Sequence, residues 1–385
     1  MTRRSVDPLA THCATLPWHS MRVSQRNETR LAATVDSSAS EHAGFLATKT
    51  FGSLDGLRAV SILAVVWHHT HDGFSGWPIS KRGFLGVDLF FLISGFLIVT
   101  LLLREHRRSG TMSLRNFYIR RFLRIFPPYY AMLALVAAIV FIKPGGTSLA
   151  LRRDLPYALF YVANLVPMSS LLAITWSLAV EEQFYLIVPA VLKYAGKAFP
   201  LILAISYLLV ILPPFGFFAG TELPSFFRET TFGPILLGVM LALLLDDPMS
   251  YRWISRALGH PVIPLFAVAL VMVACSQSAD DISGWPRMAI HWSLLVLLAA
   301  CVVREQHVLE PVLRSWPMVR IGAVSYSIYL CHLLVRHGVD KGIRLGGWSS
   351  PLILFLGTML ASWVAAEISY WAFESRFLAL KRRWT

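Results

Sequence analysis

Gly83-Phe84-Leu85-Gly86-Val87-Asp88-Leu89-Phe90-Phe91-Leu92-Ile93-Ser94-Gly95-Phe96 opens an apolar run that continues to Leu103 with Asp88 as its one charge. A helix that crosses a bilayer needs roughly 20 mostly apolar residues, and this run supplies them. Gly86, Ser94 and Gly95 are small enough to let neighbouring helices approach closely. Asp88 is costly in such a setting, so it is either a structural hydrogen bond between helices or a functional group. From the sequence alone the two readings weigh equally.

Outward from this run, similar stretches follow one another along the chain, near 55–71, 125–142, 175–193, 198–215, 231–246, 261–277, 288–304, 320–336 and 351–373. The expected fold is therefore all-α: a polytopic integral membrane protein of about ten transmembrane helices. Composition agrees. The chain is 56% hydrophobic and only 15% charged, with mean hydropathy +0.58. That excludes a soluble two-domain enzyme, and equally a disordered chain, which needs low hydrophobicity. A net charge of +13 could suggest nucleic acid, but in so apolar a chain basic residues read first as topology markers. Cys13, Cys275, Cys301 and Cys331 are scattered and form no pair motif, so neither a disulfide framework nor a zinc site is expected.

Residues 1–50 are polar, mixed in charge and without periodicity; they read as a disordered cytoplasmic tail with no signal-peptide core. The sequon at Asn27 is then a chance match. Residues 51–376 form the transmembrane domain, and 377–385 a basic cytoplasmic tail. One stretch, 155–174, is uncharged but holds Pro156, Asn164, Pro167, Ser169 and Ser170. With it outside the count, 25 of the 35 basic residues fall on the cytoplasmic side; if it spans, the split is 19 to 16. The positive-inside rule favours the first arrangement. Both termini are then cytoplasmic, and 155–174 lies on or dips into the outer face.

Five motifs carry chemistry. Arg58 and His69 are eleven residues apart in the first span. On a helix they share one face to within about 20° and lie about 16 Å apart along the axis. Arg58 could instead snorkel inward and His69 sit at the interface. Arg121 and Arg124 are i,i+3 neighbours at the cytoplasmic start of the third span. Paired guanidinium groups suit phosphates, although anchoring to lipid headgroups is the blander reading. Trp176-Ser177 leads to Glu181-Glu182 within an apolar helix, where two carboxylates are hard to explain as packing. Ser177, Glu181 and Tyr185 share a face, and Glu182 points about 100° away, towards a basic partner on another helix. His332, near the outer end of the ninth span, is weak evidence alone. By charge counting, His69, Asp88, Glu181 and His332 share one depth in the outer half, while Arg58, Arg121 and Arg124 cluster inside. Phosphate grips within and acid–base groups without suggest a long phosphorylated donor entering from the cytoplasm.

These motifs together resemble the membrane acyltransferase-3 family. The resemblance rests on Leu54-Asp55-Gly56-Leu57-Arg58 with His69, on Gly83–Phe96, on the Arg121/Arg124 pair, on Trp176–Tyr185 and on Ser325–His332, and it covers about residues 50–375. It implies a ten-helix membrane fold and transfer of an acyl group, commonly acetyl from acetyl-CoA, to hydroxyls of envelope polysaccharides, peptidoglycan, glycolipids or macrolides. The family's essential histidine falls on His69, its paired arginine on Arg58 and its cytoplasmic arginine pair on Arg121 and Arg124. Some members carry a fused extracytoplasmic hydrolase-like domain; the chain ends soon after the last span, so a second transfer step is expected to need another protein. The long N-terminal extension is outside the family core.

Residue chemistry gives the same expectation. His69 is suited to act as general base on a sugar hydroxyl, with Glu181 or Asp88 orienting it. Arg121 and Arg124 hold the CoA phosphates and Arg58 guides the donor; no metal is needed. A transporter or flippase is the rival class, but the internal repeats common in transporters are not seen. A structural scaffold leaves Glu181 and Glu182 unexplained.

Overall fold

The computed structural model describes residues 39–70, 78–142, 146–169, 171–212, 232–277, 282, 284–347, 350–381 and 384. The sequon at Asn27, Cys13 and most of the expected tail lie outside the described residues. The chain divides into two compact units, Met1–Thr48 and Lys49–Thr385. Within the first, the described residues form a helix over Ala39–Ala47.

The described part of the second unit is helical, with turns and no strands. Its helices are α1 Gly52–Thr70, α2 Leu85–Ser109, α3 Leu114–Ile142, α4 Gly146–Leu159, α5 Thr175–Ala195, α6 Phe199–Ile211, α7 Gly233–Asp246, α8 Pro248–Leu258, α9 Ile263–Cys275, α10 Trp285–Val303, α11 Glu310–Leu313, α12 Trp316–Ala323, α13 Ser325–Leu345, α14 Pro351–Ser369 and α15 Ser375–Lys381. Each of the ten apolar stretches coincides with helix. Among the described residues, five helices can cross a bilayer by length and composition, or up to eight if each bent helix pair is one span. The number ten is thus not reached on that measure among the described residues, because α5 and α6 count as one span over Thr175–Ile211, α9 is only 13 residues long and other segments are broken.

Helix α2 is central. Leu92, Ile93, Phe96, Ile98 and Val99 have no exposed surface. Its small residues do what their size suggested. A Cβ on Gly86 would lie 2.3 Å from the Ser61 carbonyl oxygen of α1, and one on Gly95 would lie 2.0 Å from that of Ile235 in α7. Gly238 of α7 returns the contact against Leu92. Backbone approach of this kind maximises dispersion contact where no hydrophobic effect separates lipid from helix.

Two segments depart from a straight spanning helix. The stretch 155–174 is no continuous helix. Helix α4 ends at Leu159, its last carbonyls accepting from the Tyr129 and Tyr130 hydroxyls at 2.7 and 3.0 Å. Tyr161 then reverses the chain with φ 54°, in the left-handed region, and stacks on Tyr129 at 4.3 Å. Beyond it the chain tucks into protein: Ala163 and Leu172 are fully buried, and Asn164 exchanges amide hydrogen bonds with Gln183 of α5. Non-helical backbone is tolerated at membrane depth only under such protection.

The ninth expected span, 320–336, is also broken. Helices α12 and α13 meet at 77°. Gly322 lies on the start of α1, where a Cβ would come 1.8 Å from the Asp55 carbonyl oxygen. The chain must therefore turn at Val324 before it can run beside α1. After α14, a π-helical turn at Tyr370–Glu374 leads into α15, which packs along α3. Trp384 follows, its carbonyl accepting from Arg120 at 2.9 Å.

Candidate active site

Five helices deliver side chains to one cavity. Helix α1 gives Arg58; α2 gives Phe90, Phe91 and Ser94; α3 gives Arg121, Arg124 and Ile125; α5 gives Ser177, Glu181 and Tyr185; α13 gives Ser325, Tyr326 and Tyr329. The shared face expected for Ser177, Glu181 and Tyr185 is the face that lines it. The walls are mostly apolar and aromatic, with hydroxyls at intervals. Such a lining suits a ligand with an apolar body and a few polar anchor points.

Charge in the cavity is unbalanced: three guanidinium groups face one carboxylate. Among the described residues Arg121 and Arg124 form no salt bridge; Arg121 instead lies over the Tyr185 ring, 5.1 Å from its centroid. Arg58 reaches only Asp55 on its own helix, at 3.4 Å. Glu181 is bound by hydroxyls, not by the arginines. Its Oε1 accepts from Ser94 and, at 2.7 Å, from Tyr185. A cluster of cations without protein counter-charge is expensive to bury, and an anionic ligand would offset the cost.

His69 and His332 meet just beyond the cavity wall. His69 Nδ1 is 2.9 Å from the Val65 carbonyl and 3.1 Å from His332 Nε2. His332 is fully buried, and its Nδ1 is 2.7 Å from the carbonyl of Tyr329. Tyr329 is itself a wall residue, its hydroxyl 2.6 Å from Ser177 Oγ. The histidine pair is thus one helical turn from the cavity through α13.

The remaining expectations divide. Asp88 forms no hydrogen bond with His69. It is buried at 2% exposure with both oxygens occupied: Oδ1 accepts from Arg287 of α10 at 3.0 Å, and Oδ2 lies 2.8 Å from the same guanidinium and 3.1 Å from His291 Nε2. The expected orienting role of Asp88 towards His69 therefore has no contact behind it. Glu181 lines the cavity with the arginines, and among the described residues it forms no hydrogen bond with His69. Glu182 forms no salt bridge among the described residues, but a basic group on another helix, Arg121 of α3, lies within electrostatic range of it, as do Tyr129, Tyr130 and Tyr161. Trp176 packs edge-on against Phe91, with centroids 6.2 Å apart, behind the wall.

Sequence reasoning missed Arg287, which lies one residue before the expected span 288–304, and gave His291 inside that span no role. Their i,i+4 spacing on an otherwise apolar helix was the available signal. It also read Ser94 as packing only, and gave Tyr326 and Tyr329 no role. Among the described residues, no three or more His, Cys, Asp or Glu side chains gather where they could hold a metal ion.

Comparison with known proteins adds to this geometry. A family model for the acyltransferase domain (acyltransferase-3) matches residues 51–367. The O-acetyltransferase OatA of Staphylococcus aureus strain NCTC 8325 / PS 47 is 29% identical over 345 residues, which cover 82% of this chain and 55% of that protein. OatA of Staphylococcus aureus strain COL matches with the same identity and the same coverage. The chain spans about half the length of these curated relatives. No solved structure matches.

Proposed function

Because this chain belongs to the acyltransferase-3 family, we propose that it is an integral membrane O-acyltransferase that moves an acyl group from a phosphorylated thioester donor to a hydroxyl. One observation carries the reading: a cavity in which three arginines face a single carboxylate leads, through Tyr329, to a histidine pair. Arg58, Arg121 and Arg124 grip the donor's phosphates, and acetyl-CoA is the donor we favour. The aromatic wall takes the apolar arm, and Glu181 accepts a hydrogen bond from one of its amides. Along α1, Arg58 and His69 are about 16 Å apart, a distance a pantetheine arm covers when extended. The thioester then lies beside His69.

His69 takes the proton of the acceptor hydroxyl as its oxygen forms a bond to the thioester carbonyl carbon. The carbon–sulfur bond breaks, and the proton passes from His69 to the departing thiolate, which leaves as a thiol. The carbohydrate of an exopolysaccharide, O-antigen or glycolipid is the acceptor class we favour, with the donor entering from the cytoplasm and both termini on that side of a bacterial inner membrane. OatA is named as an O-acetyltransferase, which agrees with acetyl as the group moved. Family membership sets the transporter reading aside.

The test is acetyl transfer from labelled acetyl-CoA in membranes that carry the full chain, with mass spectrometry of envelope glycans for one added acetyl mass. His69→Ala should abolish the transfer while membrane insertion stays intact. Full activity in that variant overturns the reading.

A further inference from the structure

The partners of His332 settle which of its nitrogens carries hydrogen. Its Nδ1 faces the Tyr329 carbonyl at 2.7 Å, and a carbonyl can only accept, so Nδ1 bears the proton. In the neutral ring Nε2 is then an acceptor, and Nε2 is the atom 3.1 Å from His69 Nδ1. His69 Nδ1 also faces the Val65 carbonyl at 2.9 Å. With acceptors on both contacts, His69 carries its own hydrogen on Nδ1, and its Nε2 is left with a free lone pair. From this chain of hydrogen bonds we infer that His332 is a positioning residue: it fixes His69 in the tautomer whose Nε2 is the open base. The inference rests on the acyl-transfer reading above.

The arrangement does a second thing. When His69 Nε2 takes the acceptor's proton, the ring becomes an imidazolium with its Nδ1–H already aimed at the His332 lone pair. That contact strengthens as charge develops, as the third member of a catalytic triad does for its histidine, but with a neutral ring in place of a carboxylate. A neutral partner fits the surroundings. The charged and titratable groups facing His69 are His68 on its own helix and Arg336 on α13, with His332 itself. The carboxylates that could have served instead are committed elsewhere: Asp88 to Arg287 and His291, and Glu181 to Ser94 and Tyr185. His332 also ties the base to the donor cavity, because the carbonyl that orients it belongs to Tyr329.

Three substitutions test this in membranes carrying the full chain, with labelled acetyl-CoA as donor and His69→Ala measured alongside. The amide oxygen of Gln reaches the place of Nε2, so His332→Gln keeps an acceptor for His69. His332→Asn puts its oxygen near the place of Nδ1 and cannot reach. His332→Leu keeps bulk but offers no acceptor. The Leu and Asn variants should lose kcat roughly ten- to a hundred-fold, less than the ~10⁴ lost when a triad's orienting carboxylate is exchanged, because the Val65 carbonyl remains. KM for acetyl-CoA should stay near the wild-type value, and the Gln variant should retain kcat to within a few-fold. If the Leu variant does not accumulate, the Gln and Asn pair makes the same comparison. Wild-type kcat in the Leu or Asn variant, or a Gln variant as slow as they are, overturns the inference while leaving the function intact. Activity in His69→Ala, or none in the wild type, overturns the function and this inference with it.

Discussion

Two charge clusters inside the same helical unit follow opposite rules. Between α2 and α10, Asp88 is saturated: both oxygens are bound, and its cation Arg287 also lies over the Phe84 ring at 5.0 Å. Around the cavity, Arg121 and Arg124 stand without a salt bridge among the described residues, and Arg58 has only a 3.4 Å contact to its own helix. A closed cluster has nothing left to offer a ligand. An open one carries an electrostatic cost that a ligand can remove. The difference teaches that a charge in an apolar helix is informative only once its partners are known; Asp88 and Arg124 look equally functional on paper.

Breaking the closed cluster should have the largest effect on stability. Asp88→Ala leaves the Arg287 charge buried and unpaired, a change that costs about 3–5 kcal/mol. Thermal unfolding of the detergent-solubilised protein should show a strongly lowered midpoint, and an unchanged midpoint would erase the distinction between the clusters. The open cluster should respond the other way round. Arg121→Ala with Arg124→Ala should raise KM for acetyl-CoA at least about ten-fold, each charge-assisted hydrogen bond being worth ~1.5–3 kcal/mol. The unfolding midpoint should hold or rise, since two mutually repelling cations are gone. A lowered midpoint with unchanged KM would return the pair to the role of lipid anchors.

A smaller effect is expected where both partners of the closed cluster are exchanged together. Asp88→Leu with Arg287→Met should recover most of what Asp88→Ala loses, because replacing a whole buried ion pair by apolar groups is often close to neutral. Failure to recover would mean that the cluster does something beyond balancing charge. The smallest effect concerns His307, in the loop before α11, a buried ring that shares a 3.1 Å hydrogen bond with Ser53 and forms no salt bridge among the described residues. Burial pushes its imidazole below the ordinary histidine range, and Glu310 pulls back in part. The unfolded chain thus takes up the proton first as pH falls. The stability contributed by neutral His307 is present above about pH 6.5 and is lost below it. Between pH 7.5 and 5.5 the wild type should lose a few degrees, on the order of 2–4 °C per kcal/mol, and His307→Gln should flatten that dependence.

Much of the fold was legible because the bilayer constrains it so tightly. Runs of about 20 apolar residues can be little other than helix there, and the described residues of the expected stretches are largely helical, with the ninth broken at Val324. The small residues of α2 were legible for a similar reason: Gly86 and Gly95 sit where only hydrogen fits. What could not be read was which charges are already satisfied: Glu181 is bound by the Ser94 and Tyr185 hydroxyls, and Asp88 by Arg287 and His291. The break at Val324 was hidden too, because it arises from Gly322 pressing on α1, a contact between residues far apart in sequence. Of the site residues, the arginines and His69 announced themselves by charge in apolar surroundings. His332 was visible but mute until His69 lay beside it. Tyr329 lay within the Ser325–His332 motif but carried no signal of its own role, since aromatic residues are common in any membrane helix.

Tyr329 takes part in two assemblies through two different chemical groups. Its phenol belongs to the cavity, hydrogen-bonded to Ser177, and its backbone carbonyl belongs to the histidine pair. Side-chain replacement reaches only the first: Tyr329→Phe deletes a hydroxyl and leaves the carbonyl where it was. A mild phenotype at this position would therefore speak for the phenol alone. The half of the residue that touches the histidines is invisible to ordinary mutagenesis, and would need an ester in place of the following amide to weaken the carbonyl as an acceptor.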